Sequence, residues 1–179
     1  ERVDFVIVGS GPNGASPHHS CSDRVLRFGD VVVVDIGGTT AAGYCSDSTR
    51  TYALGEPPPE FMAQYDVLLT AQQAATKAVA IGVRCEQIDA AARQVLVEAG
   101  IGELFIHRTG HGIGLDTHED PYIVEGNATA LAAGMAFSIE PGFYLADTWG
   151  ARIEDIVVCS DDGVVVCNNR PRELAILAV

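Results

Sequence analysis

The chain has no Cys-x-x-Cys pair, and its five cysteines (Cys21, Cys45, Cys85, Cys159 and Cys167) are odd in number and scattered. That excludes a disulfide framework and a thiolate zinc site, and it points to a reducing cytoplasm. No apolar run reaches the length of a membrane-spanning helix. Aromatic residues are few, at 7%, yet the apolar fraction of 47% is ordinary, so neither disorder nor a membrane protein is indicated. Basic residues are scarce as well. Eleven face 24 acidic ones, for a formal charge of -13, which argues against a nucleic-acid binder. Bound cations would offset part of that excess. No charged-then-apolar leader is visible. The chain enters a strand-like run directly from Glu1, so a piece of a longer protein is expected. Its 179 residues suit one domain with a full core.

What is present is concentrated in FIHRTGHGIGLDTHEDP, Phe105 to Pro121, which holds three of the five histidines: His107, His111 and His118. Gly110, Gly112 and Gly114 break any helix there, which puts the histidines on extended or irregular backbone able to approach a ligand closely. Imidazole is the commonest metal ligand and the commonest general acid or base near neutral pH. A single histidine is usually a surface or satisfied core residue; three among glycines, with acids following, favour a site.

Along the chain, VDFVIVG (Val3 to Gly9) reads as a buried strand and Val31 to Ile36 as a second. The alternation in YCSDSTRTYAL predicts a half-exposed strand. Helices are expected from about Glu60 to Ala80, opened by Pro57 to Pro59, and from about Glu86 to Ala99, stopped by Gly100. Met135 to Ile139, Gly142 to Leu145, Arg152 to Cys159 and Gly163 to Cys167 read as strands. The pattern predicts an α/β fold with a curved antiparallel sheet backed by helices. Gly9, Gly11 and Gly14 match a dinucleotide-binding fingerprint, with Asp35 about twenty residues on. The context fails, because Pro17 and His18-His19-Ser20 follow where a helix must begin.

Two hairpins carry a more specific signal. Asp35 and Asp47 lie equally far from Ala41, and Glu140 and Glu154 equally far from Asp147. If the turns are centred there, each pair faces across its hairpin, with Cβ atoms about 4.5–5.5 Å apart. Like charges at that range, beside apolar neighbours, destabilise a sheet unless Arg50 or Arg152 relieves them. Two such pairs plus a histidine cluster are better explained by cations. Four carboxylates and one imidazole suffice for two divalent ions, and mostly oxygen ligands favour manganese or cobalt, with zinc possible.

SGPNGASPHH, VVVVDIGG, YCSDSTRT, HRTGHGIGLDTHE, SIEPGFY and RIEDIVV together resemble the catalytic domain of the pita-bread metallopeptidases. These include methionine aminopeptidase, aminopeptidase P and the Xaa-Pro dipeptidase prolidase. PHH and HRTGHGIGLDTHE are similar to the latter two. The resemblance implies a pita-bread fold with pseudo-twofold halves across residues 1–179, lacking the family's first helices and N-terminal domain. It implies that Asp35, Asp47, His111, Glu140 and Glu154 hold the ions, with Asp47 and Glu154 shared between them. It also implies that His18 and His118 contact substrate and stabilise the tetrahedral intermediate, and that Arg152 lines the pocket and binds substrate. His107 is structural or sits just behind the ligands. Tyr144 reaches the pocket or is a core tyrosine, and His19 is an exposed neighbour.

The expected reaction is hydrolysis of a short peptide with proline second, by a hydroxide held between the metals, with Glu140 as general base and then acid. A methionine aminopeptidase-like enzyme and a non-catalytic binding module are the alternatives. Composition and charge lead us to expect no membrane or nucleic-acid partner, and a homodimer is expected for the full-length protein.

Overall fold

The computed structural model describes residues 1–178 as an α/β fold. Strand β1 (Arg2–Ser10) pairs antiparallel with β2 (Val31–Thr39), which pairs antiparallel with β3 (Cys45–Leu54). Between β1 and β2 lies only a short 3-10 turn, Gly11–Ala15, and no crossover helix. The dinucleotide reading is therefore excluded by topology as well as by sequence. Helices α1 (Pro59–Ala78) and α2 (Cys85–Glu98) follow. Paired prolines open α1, and the Gln87 side chain accepts from the Arg84 backbone N–H at 2.9 Å to cap α2.

The second sheet has the order β10-β9-β6-β4-β5. Its strands are β4 (Gly110–Gly112), β5 (Glu119–Ile123), β6 (Ala136–Ile139), β9 (Asp155–Ser160) and β10 (Gly163–Val166). A two-stranded ribbon, β7 (Gly142–Leu145) with β8 (Trp149–Arg152), stands beside it. Strand β11 (Ala175–Leu177) adds to β3 in parallel, the one parallel pairing among the described residues.

Burial of the helices' apolar faces drives assembly. Ala71, Ala75, Ile88, Ala92 and Leu96 pack against Ile123, Phe137, Ile139 and Val157 of the second sheet. The start of α1, through Phe61, Tyr65 and Leu68, packs on Val31, Ala53, Phe143 and Ile153. Among the described residues no helix covers the outer face of the first sheet. VDFVIVG, expected to be buried, lies in the edge strand of that sheet with Val3 72% and Val6 51% exposed.

Arg50, assigned by alternation to a half-exposed strand, is buried at the seam between the sheets. It donates to Asp155 Oδ1 at 2.7 Å and to the Glu154 carbonyl at 2.5 Å, and Gln72 of α1 donates to Asp155 Oδ2 at 3.0 Å. Asn168 makes a second stitch. It donates to the Asp47 carbonyl at 2.9 Å and accepts from the Ile156 N–H at 2.6 Å.

Candidate active site

The two carboxylate pairs come together by different geometries. β2 and β3 place Asp35 opposite Thr49, and Asp47 opposite Gly37, so Asp35 and Asp47 do not face each other as expected. β2 runs on through Gly37 and Gly38 to Thr39, so the turn is only Ala41 to Gly43 and centres on Ala42. Gly43 takes the left-handed position (φ 88°). The carboxylates stay on one face, diagonal rather than opposed. The second hairpin keeps the expected register about Asp147, with Gly142 opposite Arg152 and Ile139 opposite Asp155. The single strand expected from Arg152 to Cys159 is instead broken at Ile153-Glu154. Glu140 and Glu154 sit at that break, off the regular ladder.

Gly110 and Gly112 flank His111 inside β4. A Cβ at Gly110 would lie 1.9 Å from the Ser138 carbonyl oxygen, and one at Gly112 2.4 Å from that of Asp120. These glycines serve the close approach of β4 to its neighbours rather than of a ligand. His111 Nδ1–H donates to the Gly112 carbonyl at 3.0 Å. That leaves Nε2 facing the carboxylates, 3.2 Å from Glu140 Oε1 and 3.8 Å from Asp47 Oδ2.

Asp47, His111 and Glu154 offer ligand atoms within 4.8 Å of one another. Asp35 Oδ1 and Asp47 Oδ1 are buried with no hydrogen-bond partner. Burial, then the charges of Asp35 and Glu140, pushes the Asp47 carboxyl up to about 8. Burial, then Glu140, Asp47 and Asp35, pushes Glu154 well above the carboxylate range. Burial also acts upward on Glu140, but the His111 hydrogen bond and charge outweigh it and bring Glu140 down to about 2; burial acts downward on His111, and the bond and charge of Glu140 outweigh it and raise the imidazole. Orphaned, mutually repelling oxygens converging on one imidazole fit divalent cations, and oxygen-rich donors fit first-row ions.

These residues line a cleft of about 880 Å3 that also meets His18, His118, His107 and Arg152. His18 and His118 are exposed at it, and the His118 ring packs edge-on against His111 at 4.0 Å. Arg152 borders the cleft but is 1% exposed. It donates to Asp35 Oδ2 at 2.7 Å, Tyr144 OH at 2.8 Å, Thr49 Oγ1 at 3.2 Å and the Pro17 carbonyl at 3.1 Å. With four hydrogen bonds donated, it braces Asp35 and the His18 loop. Tyr144 is a core tyrosine whose hydroxyl links two polar side chains. It accepts from Arg152 and donates to His107 Nε2 at 2.9 Å, and burial pushes its phenol up to about 12. His19 is half-buried rather than exposed.

Four supporting residues escaped the sequence reading. Thr49 donates to Glu154 Oε2 at 2.7 Å, and its place two residues beyond Asp47 on one strand face was a usable signal. Ser138 accepts from the His111 N–H at 2.9 Å and donates to Glu140 Oε1 at 3.0 Å. Asp89 gave no signal, being one acid in the apolar face of α2. It is buried, accepts from Thr109 N at 3.1 Å and Thr109 Oγ1 at 2.7 Å, and grips Arg93, which donates to the carbonyls of Phe105 and His107. The fourth is Arg108.

The Thr109 carbonyl in turn accepts from the Glu140 N–H at 2.8 Å, so Asp89 ties α2 to both His111 and Glu140. Asp89→Ala leaves buried donors unmatched and is expected to cost roughly 2–4 kcal/mol. Urea unfolding of the two proteins measures it, and an unchanged midpoint contradicts the assignment.

Buried carboxylates and one imidazole around an open cleft are the construction of a divalent-metal hydrolase centre. The chain belongs to metallopeptidase family M24, whose sequence model matches residues 1–161, and it has that family's pita-bread fold. It is 62% identical over 178 residues to the probable dipeptidase PepE of Mycobacterium tuberculosis, covering 99% of this chain and 48% of the relative. It is 44% identical over 173 residues to the Xaa-Pro dipeptidase of Lactobacillus delbrueckii subsp. lactis, covering 97% and 47%. The crystal structure of dipeptidase PepE from Mycobacterium ulcerans superposes with a TM-score of 0.97 at 62% identity, over 99% of this chain and 48% of that one. The chain thus spans about half the length of the curated relatives it matches.

Proposed function

We propose that residues 1–179 form the catalytic part of a peptidase that cleaves Xaa-Pro bonds in short peptides. The observation that carries this reading is the convergence of Asp35, Asp47, His111, Glu140 and Glu154 at the floor of a cleft whose wall presents His18 and His118. The five floor residues would hold two divalent ions, manganese or cobalt in preference to zinc, with Asp47 and Glu154 shared. When bound, such ions supply Lewis-acid charge and acidify water at neutral pH.

The chain's own residues do the rest. Glu140, kept ionised beside His111, takes the attacking water's proton and returns it to the leaving nitrogen. His118 donates to the carbonyl oxygen as charge develops there. His18 is held beside it by the bond from Arg152 to the Pro17 carbonyl and contacts the substrate. A proline nitrogen carries no N–H, so recognition falls to side chains and ring shape.

Five free cysteines among the described residues suit a reducing cytoplasm, and no helix there is long and apolar enough to cross a membrane. The homodimer proposed for the full-length protein rests on family resemblance alone.

Metal-reconstituted protein is expected to hydrolyse Gly-Pro and Ala-Pro. Cleavage of Met-Ala-Ser in their place would favour the methionine aminopeptidase reading. Metal binding with no turnover of any peptide would favour a binding module.

A further inference from the structure

The cleft carries five carboxylates, Asp4, Asp35, Asp47, Glu140 and Glu154, against two arginines. Such a cleft repels a peptide's C-terminal carboxylate except where an arginine is free to receive it. Arg152 is not free, because its guanidinium is committed to Asp35, Thr49, Tyr144 and Pro17. Arg108 is in the opposite state. Its Nε is buried without a hydrogen-bond partner, and among the described residues no carboxylate lies within ion-pair range of it. Its guanidinium lies over the Tyr122 ring, 4.9 Å from the centroid, a contact that fixes the plane of the fork. A buried donor left unmatched on a planar, pre-oriented fork suits a bidentate carboxylate.

We propose that Arg108 receives the free C-terminal carboxylate of the substrate and so makes the site selective for dipeptides. The inference rests on the peptidase reading and sharpens it. Arg108 precedes His111 by three residues, and Tyr122 and Val124 continue the same wall of the cleft. In an Xaa-Pro dipeptide only the proline ring separates the scissile carbonyl from the terminal carboxylate. Anchoring that carboxylate on the histidine side holds the carbonyl over the metal-binding floor. A third residue would replace the anion with a neutral amide and leave Arg108 unmatched.

The test uses metal-reconstituted protein, Ala-Pro, and Ala-Pro amide. Wild type is expected to prefer the free acid in kcat/KM by at least about tenfold, the scale of a charge-assisted pair. Arg108→Gln is expected to lose about 10–100-fold on Ala-Pro, mostly through KM, while changing little on the amide. Arg108→Lys recovers part of the loss.

A second arm needs no turnover. Calorimetric titration with L-proline and L-prolinamide is expected to show tighter proline binding to wild type, and Arg108→Gln abolishes the difference. Equal handling of acid and amide by wild type in both arms overturns the proposal and requires no variant to fold. An equal loss on both substrates in Arg108→Gln overturns it too. Should no peptide be cleaved, the Xaa-Pro reading fails while the proline titration still decides the role of Arg108.

Discussion

Glu154→Gln is expected to abolish metal binding and, in the same protein, to stabilise the metal-free chain. The two effects have opposite signs because Glu154 is useful only when a cation is present. Its side chain is buried, keeps one hydrogen bond from Thr49 that glutamine can also accept, and otherwise meets the charges of Glu140, Asp47 and Asp35. Its carboxyl is therefore raised well above the usual range, as that of Asp47 is raised to about 8. A carboxyl raised on folding binds protons in the native state that the unfolded chain has released. Stability of the metal-free protein then falls as pH climbs from about 4 toward 8.

Removing the Glu154 charge relieves part of that penalty. At pH 8 the metal-free variant is expected to melt a few degrees above metal-free wild type, at roughly 2–4 °C per kcal/mol. With manganese at a hundred times its Kd, wild type gains about 2.7 kcal/mol and the order reverses. Elemental analysis and thermal melts with and without chelator read both signs. Two retained ions in Glu154→Gln would contradict the sharing of that residue between metals.

Much of this centre was legible in the sequence, for a physical reason. A hairpin's register is arithmetic once its turn is located, and the turn near Asp147 is marked by Asp147, Thr148 and Gly150. The register on either side of Glu140 and Glu154 followed from that alone, though both residues lie off the regular ladder. The same arithmetic missed by two residues at Asp35 and Asp47, because Gly37 and Gly38, which look like turn glycines, lie in strand β2. Glycine composition cannot tell a bend from a close strand approach, and Gly110 and Gly112 repeat the point.

The burial of VDFVIVG was misjudged because a short apolar, β-branched run shows that a strand exists, not whether anything covers it. The supporting residues were hidden for a different reason. Arg50, Asp89 and Ser138 act through contacts between segments far apart in the chain, which periodicity does not see. In consequence the sequence reading assigned Arg152 to substrate and passed over Arg108. Their hydrogen bonds separate them, since the Arg152 guanidinium donates four and the Arg108 Nε has no partner.

The histidines provide the sharpest separation of binding from catalysis. His111 is buried between two glycines, has Nδ1 committed to the Gly112 carbonyl, and turns Nε2 to Glu140 and Asp47. His118 lies edge-on to it but is exposed at the cleft, and burial, then the charges of His111 and Arg108, lowers its pKa. A neutral imidazole at that wall has an N–H to offer a carbonyl oxygen as charge builds on it. His111→Ala is accordingly expected to lose metal and activity together. His118→Ala is expected to keep its metal content and lose kcat by roughly 10²–10³-fold, the cost of one oxyanion donor. His18→Ala, also off the metal floor, should keep its metal too. Metal analysis and kcat on the three variants decide the matter. A His118→Ala protein that sheds metal as readily as His111→Ala would mean that the floor of the cleft extends to a second imidazole.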